Sequence, residues 1–143
     1  KRSVLFILAF VLVLALAACG GTADTETAVS ESTDLATGEL NLPDTVDVQT
    51  VAEIMDRDDV VLIDVREQNE YDAGHIPGIT LIPLGQVPQR LDEIPTDKTV
   101  IMTCRSGNRS GQATDFLREN GFDNVHNMAG GIGAWQSAGL EVE

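Results

Sequence analysis

From Thr45 onward, continuous apolar runs alternate with segments whose apolar residues recur at helical spacing. The continuous runs are short and contain many β-branched residues, which is typical of strands covered on both faces. The predicted strands lie at 60–63, 79–82, 99–103 and 125–127. The predicted helices lie at 48–55, at 68–73, from Ser110 to Asn120 and at 131–138, with a loose helical piece between Pro83 and Leu91. This alternation predicts a single α/β domain over 45–143, with a central, mostly parallel sheet flanked by helices.

The N-terminal segment has a different pattern. Two basic residues precede an unbroken apolar run over 4–15, and small residues then follow up to Cys19. The run is shorter than the roughly 20 residues of a membrane span, so it predicts a secretory signal peptide over 1–18. The residues Leu-Ala-Ala-Cys at 16–19 resemble the lipobox of bacterial lipoproteins. That resemblance implies lipidation of Cys19, with palmitate among the expected acyl chains. The alternative is an ordinary signal peptide that happens to contain a cysteine.

The segment after Cys19 is polar and acidic. Residues 20–44 include six acids, no Lys or Arg and no apolar periodicity. Because so little apolar surface cannot offset the entropy lost on ordering, we expect this segment to be a disordered tether. The segment 19–44 is thus predicted to consist of acylated Cys19 and the tether. The expected location is the extracytoplasmic side of a bacterial membrane, with the lipid anchor as the only membrane contact.

The charge of the predicted domain restricts its partners. It has seventeen acids against seven Lys and Arg, a net charge of −10. Such a field disfavours nucleic acid and anionic membrane surfaces. Three of the seven bases, Arg66, Arg105 and Arg109, nevertheless belong to segments at predicted strand ends. Positive charge kept locally in an acidic protein indicates a small anionic substrate. Separately, we expect the protein to be a monomer.

The cysteines and histidines do not have the spacing of a metal site. The sequence has no CxxC pair and no HxxxH helix, and His75 and His126 fall in different predicted elements. We therefore expect no metal and no organic cofactor. A disulfide between Cys19 and Cys104 is conceivable in an exported protein, but acylation of Cys19 would preclude it.

Cys104 stands between the predicted strand at 99–103 and the following helix. A tight loop at this position is where open α/β sheets place their ligands, and its free backbone N–H groups can form a cradle for an anion. The same groups, with Arg105 and Arg109 nearby, favour a thiolate, since cysteines so placed titrate at about 3.5 to 7.5 rather than near 8.5. The alternative is that Cys104 is a small buried apolar residue.

Four motifs carry a family resemblance. The loop at 104–109, Cys-Arg-Ser-Gly-Asn-Arg, resembles the six-residue active-site loop of rhodanese-type sulfurtransferases, whose cysteine holds a sulfane sulfur as a persulfide. Three more stretches are similar to that family's other signatures and occur in its order. They are Leu-Ile-Asp-Val-Arg-Glu at 62–67, Gly-His-Ile-Pro-Gly at 74–78 and Gly-Gly-Ile-Gly-Ala-Trp at 130–135. The segment 45–143 is therefore identified as a rhodanese-like domain.

The resemblance implies roles for the residues at these positions. It implies that Cys104 is the catalytic residue, and that the loop after it binds the substrate. The loop residues are Arg105, Ser106, Gly107, Asn108 and Arg109. Arg105 is expected nearer the substrate, whereas Arg109 either contacts the substrate or braces the loop. Asp64 is expected to support the site structurally rather than act as a base, and Arg66 either pairs with an acid or binds the substrate. His75 is expected to be a turn residue.

The implied reaction is sulfur transfer in two steps. Cys104 would take a sulfane sulfur from thiosulfate or a persulfide donor and pass it to a thiol or to cyanide. Two alternatives stay open: a non-catalytic module that carries a persulfide or docks at the membrane, and a phosphatase or arsenate reductase of the Cys-x5-Arg type. For the latter the spacing is one residue short, because the required position is Ser110 and the arginine is Arg109.

Overall fold

The computed structural model describes residues 40–143. The predicted signal peptide at 1–18, acylated Cys19 and the predicted tether up to residue 39 lie outside the described residues. Within the described segment, no helix combines the length and apolar character needed to cross a membrane.

Five strands form one sheet in the order β1-β5-β4-β2-β3, and every neighbouring pair is parallel. The strands are β1 Thr45–Val46, β2 Val60–Asp64, β3 Thr80–Leu81, β4 Thr99–Thr103 and β5 Val125–Met128. The predicted α/β class with a parallel sheet is confirmed. Strand β1 was not predicted, because two residues show no periodicity and the strand exists only through its pairing with β5.

Helices cover both faces of the sheet. They are α1 Val48–Ile54, α2 Gln68–Asp72, α3 Asn108–Glu119 and α4 Gly131–Ser137, with two 3₁₀ segments at Leu84–Gln89 and Leu91–Glu93. The helix α1 begins where Asp47 accepts hydrogen bonds from the amides of Gln49 and Thr50, both at 3.0 Å. One buried cluster includes residues of α1 and α4, and the other includes residues of α3, so the sheet has a core on each side.

The folded domain begins before Thr45. Leu40 and Leu42 pack against the core cluster that includes α1, and the carbonyl oxygen of Asp44 accepts a 2.9 Å hydrogen bond from the amide of Asn127. The segment from 40 to 44 therefore belongs to the domain, and its assignment to the tether is corrected. Composition alone had favoured the tether, but two leucines two residues apart suffice to anchor a segment beside an edge strand.

Candidate active site

Cys104 lies directly after β4, at the carboxyl edge of the sheet. Its side chain is only 1% exposed and is a free thiol. Its Sγ accepts a hydrogen bond from the amide of Gly107 at 3.2 Å and one from the hydroxyl of Ser110 at 3.4 Å. Gly107 has a φ of +90° at the start of α3, a left-handed conformation that turns the loop back over the sulfur.

These donors control the ionisation of the thiol. Burial raises the pKa of Cys104, but the hydroxyl of Ser110 and the backbone amides of Ser110, Ser106 and Gly107 lower it, and the net pKa lies below the ordinary value of 9.0. The sulfur is thus held in a ring of hydrogen-bond donors that favours its anionic form. This is the chemical requirement for a nucleophilic cysteine.

The start of α4 fixes the far side of the loop through main-chain contacts. The amide of Ile132 donates to the carbonyl of Cys104 at 2.8 Å, and the amide of Gly133 donates to the carbonyl of Arg105 at 3.0 Å. Gly131 has a φ of +56°, and a Cβ there would overlap the carbonyl oxygen of Cys104. The glycines at 130, 131 and 133 therefore let α4 approach closely enough for its backbone amides to hydrogen-bond the loop.

Asn127 supports the loop from β5. Its side-chain amide donates to the carbonyl oxygen of Gly107 at 3.1 Å, across a separation of 20 residues in the sequence. This contact ties the left-handed turn at Gly107 to β5. Nothing in the sequence pattern of this short last strand indicated the contact.

Asp64 and Arg66 form a buried ion pair. Nη2 of Arg66 lies 2.7 Å from Oδ2 of Asp64, and the two side chains are 7% and 1% exposed. The same Nη2 donates to the carbonyl of Gly74 at 2.8 Å, while Asp64 also accepts the backbone amide of Arg66 at 2.9 Å. The pair therefore ties the end of β2 to the turn that contains Gly74, and the carboxylate of Asp64 is engaged by the guanidinium.

Arg109 braces the loop through an ion pair with Glu70 on α2. The guanidinium donates from Nη1 to Oε2 at 2.6 Å and from Nη2 to Oε1 at 2.7 Å, a bidentate arrangement. The hydrogen bonds from Arg109 outweigh partial burial and lower the pKa of Glu70 from 4.5 to about 2. Glu70 was not predicted as a site residue, since in sequence it reads only as the third helical position of a capping box with Glu67.

A cleft of about 390 Å³ opens beside the loop. Its lining residues come from the segment after β2, from α2 and the turn that follows it, from the Cys104 loop and from α4. They are Arg66, Asn69, Glu70, Ala73, Gly74, Arg105, Ile132, Gly133 and Gln136. Cys104 is not one of them, since it is only 1% exposed. The side chain of Arg105 is exposed, and within the described segment its guanidinium makes no ion pair or hydrogen bond.

The remaining candidates lie around this centre. Ser106 is exposed in the loop, and Asn108 is exposed as the first residue of α3. His75 lies in its predicted turn, where its ring stacks on Tyr71 at a centroid distance of 3.7 Å and its Nε2 is 3.4 Å from a carboxylate oxygen of Glu143. Over residues 40–143, His, Cys, Asp and Glu side chains form no cluster of three suited to a metal ion.

The geometry thus combines a parallel α/β sheet with a buried cysteine in a ring of donors at the carboxyl end of its central strand. The family model of the rhodanese-like domain matches residues 47–138. The chain belongs to the rhodanese-like domain family. The recognition of this family from the four motifs is confirmed.

Three relatives show how the rhodanese-like segment compares with other proteins. It is 42% identical over 89 residues to a sulfurtransferase of Allochromatium vinosum, spanning 83% of that protein. It is 36% identical over 93 residues to the thiosulfate sulfurtransferase GlpE of Pseudoalteromonas translucida, spanning 89% of it. It is 50% identical over 74 residues to the uncharacterized protein YqhL of Bacillus subtilis, of which it spans 59%. These matches cover 62%, 65% and 52% of the present chain.

A solved structure supports the fold. The rhodanese-related protein from Thermoplasma volcanium superimposes with a TM-score of 0.65 at 28% sequence identity, covering 71% of this chain and 98% of that one.

Proposed function

We propose that the protein is a rhodanese-type sulfurtransferase that carries sulfur as a persulfide on Cys104. Family membership and the relatives named as sulfurtransferases support sulfur transfer in general. The single observation that carries the finer proposal is the donation of two hydrogen bonds to Sγ of Cys104, from the hydroxyl of Ser110 and the amide of Gly107.

In the first half-reaction, the thiolate of Cys104 attacks the outer sulfur of thiosulfate or of a persulfide donor. A new S–S bond forms to Cys104, the S–S bond of the donor breaks, and sulfite or a thiolate leaves with the electron pair. The loop amides of Ser106, Gly107 and Ser110 stabilise the negative charge on the sulfur as it moves.

In the second half-reaction, an acceptor attacks the outer sulfur of the Cys104 persulfide. A thiol acceptor becomes a persulfide and cyanide becomes thiocyanate, and in both cases the electron pair returns to Cys104 as a thiolate. Because a covalent intermediate separates the two steps, the expected kinetics are ping-pong. Neither step requires a metal or an organic cofactor.

The phosphatase alternative has weaker support. Enzymes of the Cys-x5-Arg type need an arginine where this chain has Ser110, and that serine is buried with its hydroxyl on the cysteine sulfur. Arg109 is held by Glu70. The phosphatase proposal therefore lacks an arginine placed to bind phosphate. Assaying a phosphate monoester beside thiosulfate separates the two, with phosphate release and no thiocyanate as the outcome against sulfur transfer.

For the whole protein we propose export, lipidation of Cys19 and attachment to the extracytoplasmic side of a bacterial membrane, with the rhodanese-like domain acting as a monomer on small anionic donors. Expression in a bacterial host with a labelled fatty acid tests this proposal. Label is expected in the wild type and lost in Cys19→Ala, and an unlabelled, fully soluble wild-type chain would contradict it. A docking module instead of an enzyme would be indicated if Cys104→Ser kept all physiological activity.

Mass spectrometry tests the persulfide directly. After incubation of the protein with thiosulfate, the peptide containing Cys104 is expected to gain the mass of one sulfur atom, and cyanide is expected to remove it. Cys104→Ser is the control and gains nothing. An unmodified Cys104 peptide that still reacts fully with a thiol reagent would rule out the sulfur-carrier proposal.

A further inference from the structure

The arginines near Cys104 are not equally available to a substrate. Arg66 is paired with Asp64 at 2.7 Å, and Arg109 is paired with Glu70 at 2.6 Å. Arg105, in contrast, has an exposed side chain that makes no ion pair with any residue from 40 to 143. These three guanidinium groups and two carboxylates carry a net charge of +1 before the thiolate of Cys104 is counted.

Glu70 has a second effect, because it lines the cleft together with Arg66 and Arg105. Its side chain is 25% exposed and borders the cleft, while both carboxylate oxygens accept hydrogen bonds from Arg109. A negative group at this place repels an anionic substrate in proportion to the charge that the substrate carries. The penalty is therefore larger for a dianion than for a monoanion.

The size of the cleft also favours an organic donor over a small inorganic dianion. A volume of about 390 Å³ falls within the range that small organic ligands occupy, and it is far more than a thiosulfate ion needs. The lining provides neutral polar groups from Asn69 and Gln136, and apolar surface from Ala73 and Ile132. Such a wall suits an organic group on the part of the donor that leaves after its outer sulfur has been transferred.

We propose that Glu70 is a specificity-determining residue: by neutralising Arg109 and presenting its carboxylate to the cleft, it makes the enzyme favour singly charged organic sulfane donors over dianionic thiosulfate. The class comprises organic thiosulfonates and organic hydropersulfides. This inference rests on the proposed sulfur transfer by Cys104 and adds the donor that the site prefers.

The chemistry balances for both donor types. An organic thiosulfonate gives its outer sulfur to the Cys104 thiolate, the S–S bond of the donor breaks, and an organic sulfinate leaves with the electron pair. A hydropersulfide gives its outer sulfur in the same way and leaves as a thiolate. No oxidant or reductant is needed, because the transferred atom is a sulfane sulfur throughout.

The test compares benzenethiosulfonate with thiosulfate in the full chain, using cyanide as acceptor and normalising each rate to the reaction of that donor with a free thiol. The wild type is expected to prefer benzenethiosulfonate in kcat/KM. Glu70→Gln removes the carboxylate and frees Arg109, so the thiosulfate-to-thiosulfonate ratio is expected to rise about tenfold, the order expected for one added charge interaction at a partly solvated site. Arg109→Gln frees the carboxylate instead, and is expected to lower that ratio.

Asp72→Asn is the matched control, since Asp72 is an exposed acid on the same helix that does not line the cleft. It is expected to leave the ratio unchanged. Loosening of the loop in Glu70→Gln would slow both donors together and so would not move the ratio. A wild type that prefers thiosulfate, or a ratio that is the same in all variants, overturns the inference while leaving sulfur transfer in place. If neither donor adds sulfur to Cys104 of the wild type, the proposed function itself fails.

Discussion

The two sides of the candidate active site are held by different forces. On the side of the Cys104 sulfur, main-chain groups hold the loop. The amides at the start of α4 donate to the carbonyls of Cys104 and Arg105, and Gly131 lies against the loop. On the cleft side, two arginine–carboxylate pairs fix β2 and α2 to their neighbours. Main-chain contact at this distance leaves no room for an added side chain and does not depend on pH, whereas the ion pairs depend on the charge of both partners. The sulfur side therefore sets the geometry of the loop and the ionisation of Cys104, and the cleft side sets the charge at the mouth of the site.

The largest effect is expected from Gly131→Ala, on the sulfur side. The added methyl group would overlap the carbonyl of Cys104 and would strain a backbone with a φ of +56°. We expect a loss of more than about 4 kcal/mol in the free energy of unfolding. The control is Gly139→Ala, which has a φ of +74° but meets no atom within 4 Å, and it should cost only about 1 to 2 kcal/mol. Urea unfolding measures both, and equal losses would mean that close packing against the loop is unimportant.

Asp64→Asn tests the cleft side and should be next in size. It leaves the 5%-exposed Arg66 with no carboxylate, and removing one partner of a buried pair costs about 3 to 5 kcal/mol. Asp59→Asn removes the carboxylate from the pair with Arg57, in which Asp59 is 55% exposed, and should cost much less. Thermal or urea unfolding compares the two variants. A loss in Asp64→Asn no larger than in Asp59→Asn would show that the buried pair does not hold this side.

Ser110→Ala returns to the sulfur side and changes ionisation rather than packing. Because the hydroxyl of Ser110 donates to the sulfur and lowers the pKa of Cys104, its loss should raise that pKa. The rate of alkylation by iodoacetamide, followed against pH, should reach its midpoint at higher pH in the variant. In Ser106→Ala the backbone amide that acts on the sulfur is kept, so the midpoint should stay. If the midpoint shifted only in Ser106→Ala, the hydroxyl of Ser110 would not be the donor that lowers the pKa of Cys104.

The smallest effect concerns the stability that Glu70 and Arg109 contribute in acid. The folded pKa of Glu70 is about 2 and its ordinary value is 4.5, so the pair contributes fully above about pH 4.5 and is lost as the pH falls towards 2. Since the pair is partly exposed, we expect a contribution of about 1 kcal/mol. When the pH is lowered from about 5 to about 2.5, the free energy of unfolding should fall more in the wild type than in Glu70→Gln. Urea unfolding at each pH measures this difference. Parallel curves would mean that the pair does not contribute.

Much of the fold could be predicted because its signals are local. Asp47 precedes a stripe of apolar residues and caps α1, and the apolar run after Asp59 gives β2. The position of Cys104 after a buried strand and before a glycine-containing loop was enough to place it between β4 and α3. Strand β1 and the packing of Leu40 were missed, because both depend on a neighbour that is distant in the chain.

The charges of the site could not be predicted to the same degree. The sequence left open whether Arg66 and Arg109 contact the substrate, and the structure gives each of them a carboxylate. The hydroxyl of Ser110 reaches the sulfur six residues away only because α3 begins at Asn108 and turns the serine inward. Its spacing from Cys104 could have suggested this contact if the start of the helix had been placed two residues earlier, at Asn108.

The sequence by itself determined the alternation of strands and helices, the family and the cysteine that carries the proposed chemistry, because each of these is written in residues adjacent along the chain. Only the tertiary structure decided how many positive charges remain for a substrate. Arg109 and Glu70 are 39 residues apart, so the folding of α2 against the loop, and nothing in either segment alone, leaves Arg105 as the available cation at the mouth of the cleft among the residues from 40 to 143.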